Sequence, residues 1–335
     1  MSRIDIVIPC YKYGHYLRRC VESVLNEPVN VRALIIDDCS PDNTEEVGRQ
    51  LAKEDPRVEF RRHPVNLGHT PTWNEGMEWA TGDYRLALSS DDLLTPGALR
   101  RAVGLLDAHP DMTLCYGGQI FFQTNEQLPD LPPNLSEGYR VLSSGQFLEA
   151  CCKTGQNIVP TPTAIIRTHV VRGLRAYREE LPYAGDLEMW MRYGAHGSVG
   201  ALEADQCWKR MHGQNIQYVW QRDLFQDVDQ RRLAFETLFR EHGDRIADRE
   251  RLERMARRAL AEDAFWRASK TFDQGDDAGC RKLLELAAGL DPEIQSRSHW
   301  ARLRWKRRLG PKLWSLLQPQ VDRVRRWART APGAA

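Results

Sequence analysis

Three short apolar runs in this sequence end in residues that could do chemistry. Pro9-Cys10-Tyr11 closes the run at 4–9 (IDIVIP), Asp37-Asp38 closes 33–37 (ALIID), and Ser90-Asp91-Asp92 follows 84–89 (YRLALS). Adjacent carboxylates repel, and holding them ionised beside a sheet edge is costly unless a cation or hydrogen-bond donors answer the charge. Each acidic pair is therefore a candidate for a hard divalent cation, which prefers oxygen ligands. Each pair alone also has a plainer account. Asp37-Asp38 precedes Cys39-Ser40-Pro41 and could be turn and cap for the next helix, and Asp91-Asp92 before Leu93 could be a solvated turn. Two such pairs at strand ends of one sheet favour a shared site, because open parallel sheets bind ligands in the crevice beyond the carboxyl ends of their strands.

The elements that would position these groups alternate between strand and helix. Residues 16–25 place Leu17, Val21, Val24 and Leu25 at helical spacing. Ser40, Pro41 and Asp42 suit the cap, first position and first turn of a second helix. A third strand is expected at 58–61, a helix from Thr70-Pro71 to about Ala80, and another from Thr95-Pro96 to Ala108. Crossovers this long imply parallel pairing in an open α/β sheet. Further strands are expected at 113–116, 163–167 and 198–204, a helix at 186–195 and a proline-rich loop at 128–134. Beyond Tyr218 the pattern is helical throughout, and 259–292 reads as two antiparallel helices joined at Gly275-Asp276, like one tetratricopeptide-type unit.

With 335 residues, 41% of them apolar and 28% charged, the chain is folded and long enough for a catalytic domain with an appendage. Its net charge of +1 hides segregation, since residues 296–335 hold eleven Lys or Arg against the single acid Asp322. The basic amphipathic stretch through 296–330 has two readings: a surface for an anionic membrane, or helices docked on the chain's own acidic part. Nucleic acid is a poor candidate, as no known binding module is present. The eight cysteines form no CxxC pair and MSRIDIVIP is not a signal-peptide pattern, so reduced thiols in the cytoplasm are expected. No apolar run approaches the roughly 18 residues that span a bilayer, so membrane contact would be peripheral, on the inner face of the cytoplasmic membrane. The absence of GxGxxG after the first strand argues against a dinucleotide-dependent oxidoreductase.

The segments IVIPCYKYGHYLRRCVESVL, LIIDDCSPDNT and NLGHTPTWNEGMEWATGDYRLALSSDD, in this order and spacing, resemble the GT-A domain of family 2 inverting glycosyltransferases. The resemblance spans about 1–216. It implies an α/β fold with a GT-A-type, open, mostly parallel sheet flanked by helices. An all-α extension follows, namely a helical region at 217–295 and basic helices at 296–335. It also implies metal-dependent transfer of a sugar from a nucleotide-diphosphate donor, UDP-linked, to a saccharide or lipid-linked saccharide in surface polysaccharide or lipopolysaccharide synthesis.

Residue by residue, Asp38 matches the carboxylate that reads the donor base, and Pro9 and Tyr11 match the loop along the nucleoside. Asp91 and Asp92 match the DxD-type element, with Asp92 in the place that binds Mn2+ or Mg2+. Such a cation would neutralise the dianionic leaving group. Asp186 matches the catalytic base, with Glu188 nearby; without the family, Asp186 reads as a first-turn acid complementing the helix dipole. Trp208 to Asn215 (WKRMHGQN) resembles the segment that closes over the donor, placing Arg210 on the diphosphate and His212 on the metal or a phosphate. Asn74 matches the asparagine of the NxGxxxAxN-type segment and is expected at the donor. Trp73 stands where the family often has Arg or Lys, which shifts the diphosphate charge to Arg210 and the metal. Two alternatives remain at this point: a nucleotidyltransferase, which would normally open with a Gly-rich basic loop unlike PCYKYG, and an inactive sugar-nucleotide-binding scaffold.

Overall fold

The computed structural model describes residues 2–123, 132–174, 176–213, 215, 223–310 and 313–314. Its first half alternates β1 (Arg3–Cys10), α1 (Gly14–Leu25), β2 (Asn30–Asp37), α2 (Thr44–Glu54), β3 (Val58–Arg62), α3 (His69–Trp79) and β4 (Tyr84–Ala87). Ile4, Ile6, Val7 and Ile8 of β1 are fully buried; a strand covered by helices on both faces reads as a continuous apolar run rather than an alternating one. Gly76 lets α3 lie directly on β1, since a Cβ there would come within 2.0 Å of Val7 Cγ1.

Then come β5 (Leu93–Leu94), α4 (Ala98–Ala108), β6 (Met112–Phe122), β7 (Tyr139–Leu142), α5 (Ser144–Thr154), β8 (Ile165–Arg167), α6 (Thr168–Val171), α7 (Gly185–Gly194) and β9 (Ser198–Arg210). Among the described residues the sheet has nine strands, ordered β3-β2-β1-β4-β8-β6-β9-β5 with β7 on β9. The parallel arrangement holds from β3 to β4. The other half is mixed: β8 runs antiparallel to β4 and β6, and β5 and β7 run antiparallel to β9, while β6 and β9 are parallel.

Two helix starts differ from expectation for a long-range reason. The segment after Asp38 stays a loop until Thr44, because Asp42 accepts the Thr44 N–H at 3.2 Å with Oδ1 and the Gly14 N–H at 3.1 Å with Oδ2, tying the loop to α1. The helix expected from Thr95 begins at Ala98, where the Glu27 carboxylate takes the N–H groups of Gly97, Leu99 and Arg100. Strand β9 runs to Arg210, six residues past the expected end, and pairs Trp208 with Leu93, beside Asp91-Asp92.

The helices α8 (Leu224–His242), α9 (Arg249–Asp273), α10 (Asp277–Leu290) and α11 (Ser298–Leu309) follow. α9 and α10 form the expected hairpin, though α9 starts ten residues earlier than 259. One buried cluster runs from Leu114, Phe147 and Trp190 through Phe239 to Phe265, Leu283 and Trp314, so the helical region shares its core with the second half of the sheet. Lys306 pairs with Asp273, Arg307 with Asp277 at 3.0 Å, and Arg297 with Glu262. Three cations of the described basic segment thus lie on the chain's own acids, while Arg302, Arg304 and Arg308 face outward. Residues 315–335 and the boundary near 216 lie outside the described residues, as does most of the proline-rich loop at 128–134. No helix among the described residues is long and apolar enough to cross a membrane.

Candidate active site

The loops after β1 and β2 are held in strained conformations. Lys12 (φ 67°) and Cys39 (φ 59°) adopt left-handed backbone, which costs a side-chain-bearing residue about 1 kcal/mol or more and persists only where surroundings enforce it. Here the Lys12 N–H donates to Ser40 Oγ at 3.1 Å and the Asp38 N–H to the Cys10 carbonyl at 3.0 Å.

The two acids at the end of β2 have separate jobs. Asp37 is fully buried, pairs with Arg62 and accepts the Ser40 N–H at 2.8 Å, so it holds the turn but caps no helix, which begins only at Thr44. Asp38 lines the cavity beyond the sheet. Its Oδ1 accepts the Leu67 N–H (2.8 Å) and contacts His63 Nδ1 (2.8 Å), and its Oδ2 accepts the Gly68 N–H (2.9 Å). A carboxylate offers about four acceptor positions, so Asp38 retains room for one further donor.

Asp91 and Asp92 follow β4, and both are buried. Asp92 Oδ1 accepts the Arg210 N–H at 2.9 Å, while Asp91 Oδ2 lies 3.0 Å from His212 Nε2 and 3.3 Å from Asn215 Nδ2. Burial, reinforced by the Asp91 charge, raises the Asp92 pKa well above the carboxylate range. That environment suits a hard cation, which would hold the pair ionised. Among the described residues no three His, Cys, Asp or Glu side chains form a complete metal cage. A cation held by Asp91 and Asp92 would therefore draw its remaining oxygens from phosphate and water, as Mg2+ commonly does.

A single cavity of about 700 Å3 is lined by Pro9, Tyr11, Asp38, Asp91, Asp92 and Asp186 together. Asp186 opens α7, and Thr161 Oγ1 donates to its Oδ2 at 2.8 Å. The Tyr177 phenol stands near Asp186, and its pKa is pushed far up, mostly by burial and then by that neighbouring charge. His69 stands on the same wall and is crowded by protein, which lowers its pKa against the opposing pull of Asp186.

Three expected residues sit elsewhere. Arg210 is off the cavity: its Nε donates to the Asp91 carbonyl at 3.0 Å and its guanidinium lies 4.2 Å from the Tyr16 ring and 4.4 Å from the Phe122 ring. Successive residues of a strand face opposite sides, so Lys209 takes the cavity wall instead. Asn74 is likewise off this cavity, because its amide is engaged with the Tyr177 backbone, donating to the carbonyl at 3.0 Å and accepting the N–H at 2.8 Å. His212 stands behind Asp91, against the Tyr13 and Tyr16 rings. Glu188 is fully buried between Arg192 (2.9 Å) and Arg178 (3.2 Å), a structural ion cluster.

Sequence reasoning passed over His63, Lys209, Thr161 and Tyr177. Only Lys209 left a signal, its strand parity relative to Trp208 and Arg210.

A family model described as Glycosyl transferase family 2 matches residues 5–172. Chondroitin synthase of Pasteurella multocida (strain Pm70) is 39% identical over 215 residues, 63% of this chain and 21% of that protein. The uncharacterized glycosyltransferase YibD of Escherichia coli (strain K12) is 28% identical over 149 residues, 44% of this chain and 43% of YibD. The chain spans less than half the length of these two relatives. Among solved structures, S. aureus TarS 1-349 in complex with UDP-GlcNAc superposes with a TM-score of 0.63 at 15% identity, covering 88% of this chain and 81% of that one. Mannosyltransferase PcManGT from Pyrobaculum calidifontis, in complex with GDP-Man and Mn2+, gives 0.53 at 13% identity, covering 94% and 85%. At these identities the likeness is one of fold.

Proposed function

Because the chain belongs to glycosyl transferase family 2, we propose that it moves a sugar, with inversion and with the help of Mn2+ or Mg2+, from a UDP-linked donor to a hydroxyl of a saccharide or lipid-linked saccharide in surface polysaccharide or lipopolysaccharide assembly. The observation behind this reading is that Asp38, the Asp91-Asp92 pair and Asp186, from three separate stretches of chain, line one cavity. Asp38, with room for one more donor, suits the single N3–H of uracil better than the several donors of guanine. Pro9 and Tyr11 flank the nucleoside.

A divalent cation held by Asp91 and Asp92 would supply positive charge against the donor diphosphate. Lys209 adds a mobile cation on the same wall. Asp186, held by the Thr161 hydroxyl, accepts the acceptor hydroxyl's proton as the hydroxyl oxygen bonds to the anomeric carbon. The bond from that carbon to the diphosphate oxygen breaks in the same displacement, and the electron pair leaves with the nucleoside diphosphate. Arg210 and Asn74 serve as positioning residues, the first beneath Asp91-Asp92 and the second behind Tyr177. Lys306 and Arg307 are paired within the chain, so among the described residues any membrane contact would rest on exposed Arg302, Arg304, Trp305 and Arg308.

Thermal shift with UDP, dTDP, GDP and CMP, each with and without Mn2+, tests the donor assignment. UDP with Mn2+ should stabilise most, and UDP-sugar turnover should need the metal. If no nucleotide shifts the melting point, the reading fails.

A further inference from the structure

A second cavity, of about 790 Å3, lies between the C-terminal half of α3, strand β4 and the chain that follows β8. Arg85 and Thr168 line it, and they are 6% and 4% exposed. The antiparallel register pairs Arg85 with Ile166, which sets Thr168 diagonally beside Arg85 on the same face of the sheet. A covered strand position normally holds a branched aliphatic residue, so an arginine there needs a partner.

The partners present are weak. Arg85 Nη1 donates to the Met77 carbonyl at 2.9 Å, at the C-terminal end of α3, and Nη2 lies 3.5 Å from the Tyr193 hydroxyl. Neither Arg85 Nε nor Thr168 Oγ1 has a hydrogen-bond partner among the described residues. No carboxylate among the described residues pairs with Arg85, whereas the neighbouring buried arginines Arg178 and Arg192 share Glu188. Exposed Arg172 also lines the cavity and adds to the positive field at Arg85. The acids on the wall, Glu78, Glu179 and Glu180, are exposed, and Glu180 is drawn to Arg178 at 3.5 Å.

A buried guanidinium without a counter-charge is costly, and burial alone depresses its pKa. Guanidinium pairs best with planar or tetrahedral oxyanions, which accept two parallel N–H bonds. We propose that this cavity is a second ligand site, binding a carboxylate or phosphate group against Arg85, Thr168 and Arg172. Tyr177, clamped by Asn74, borders both cavities, so the occupant sits beside the donor site rather than in it. The inference does not depend on which nucleotide sugar the first cavity takes.

The test titrates the full chain with sodium phosphate and, separately, sodium glucuronate to 20 mM or so at constant ionic strength, with and without saturating UDP and Mg2+. Stability and heat are both read. At least one anion should bind saturably, and UDP should not displace it. Arg85→Met should weaken that binding about 10-fold and Thr168→Val about 3-fold, with UDP affinity held within about 2-fold. Should Arg85→Met fail to fold, Arg172→Gln, at an exposed position, should weaken the anion about 3-fold. A response to phosphate alone assigns a phosphorylated ligand, and one to glucuronate alone an acidic saccharide; both support the site. No saturable response to either anion, a response unchanged in every variant, or competition with UDP overturns it.

Discussion

His63 Nδ1 lies 2.8 Å from Asp38 Oδ1, and its other ring nitrogen lies 2.7 Å from Glu75 Oε2. The imidazole therefore bridges the carboxylate proposed to read the donor base and a carboxylate on α3. Burial alone would lower the His63 pKa, but the two carboxylates outweigh it and raise it.

The sign of the resulting pH dependence follows. A histidine whose folded pKa is raised stabilises the fold fully below its unfolded pKa, near 6.5, and loses that contribution as pH climbs through the folded value. His63→Gln should be less stable than wild type by roughly 1–3 kcal/mol at pH 6, with the gap narrowing toward pH 9. Urea unfolding of both proteins at three pH values measures it. A gap that does not change with pH would mean the bridge is neutral.

Asp186→Asn keeps the shape and the Thr161 contact but removes the base. Turnover should fall by about 10² to 10⁴, while UDP affinity, measured calorimetrically with Mn2+, stays within about 2-fold. Near-normal turnover would remove Asp186 from the chemistry.

Much of the site was legible because its acids stand at strand ends, where local pattern and sheet topology coincide. Asp38, Asp91 and Asp92 stood out this way and Pro9 and Tyr11 came with the first strand, whereas Asp186, at the start of a helix, was singled out only through the family resemblance. What escaped depends on distant partners. Nothing in the sequence says that Glu27 caps α4 or that Asn74 grips the Tyr177 backbone 103 residues away. The parallel half of the sheet followed from crossover length, but the mixed half did not, since β6 and β9 reach Phe122 and Arg210 through positions whose polarity hides the strand.

That grip gives a prediction that separates positioning from donor binding. Asn74→Ala removes two hydrogen bonds to backbone and should cost roughly 1–3 kcal/mol of stability. Because the Tyr177 phenol stands beside Asp186, kcat should drop about 10-fold while UDP affinity is unchanged. A loss of UDP affinity with kcat preserved would return Asn74 to the donor site.

Asp92→Asn relieves a buried acid of its like-charged neighbour. The metal-free variant should melt higher than wild type, by about 2 °C for each kcal/mol relieved, and should lose the stabilisation that Mn2+ with UDP confers. Differential scanning calorimetry in chelator and in Mn2+ reads both. Stability gained and function lost together is the pattern expected where a site is built for charge.

Lys209 and Arg210 are adjacent cations with opposite orientations, and paired substitutions should tell their roles apart. Lys209 lines the cavity, so Lys209→Met removes a charge from the diphosphate. It should weaken UDP about 10-fold, leave uridine binding unchanged and barely alter stability, since the side chain is only half-buried. Arg210 is 1% exposed and braced between two aromatic rings beneath the acid pair. Arg210→Met should cost about 2–4 kcal/mol through lost stacking and an orphaned Asp91 carbonyl, and should disturb Mn2+ response more than nucleotide affinity. Calorimetric titration of uridine, UMP and UDP against both variants, alongside their melting curves, provides the comparison. The reverse outcome, with Arg210→Met stable but deficient in UDP binding, would mean that β9 presents its other face to the donor.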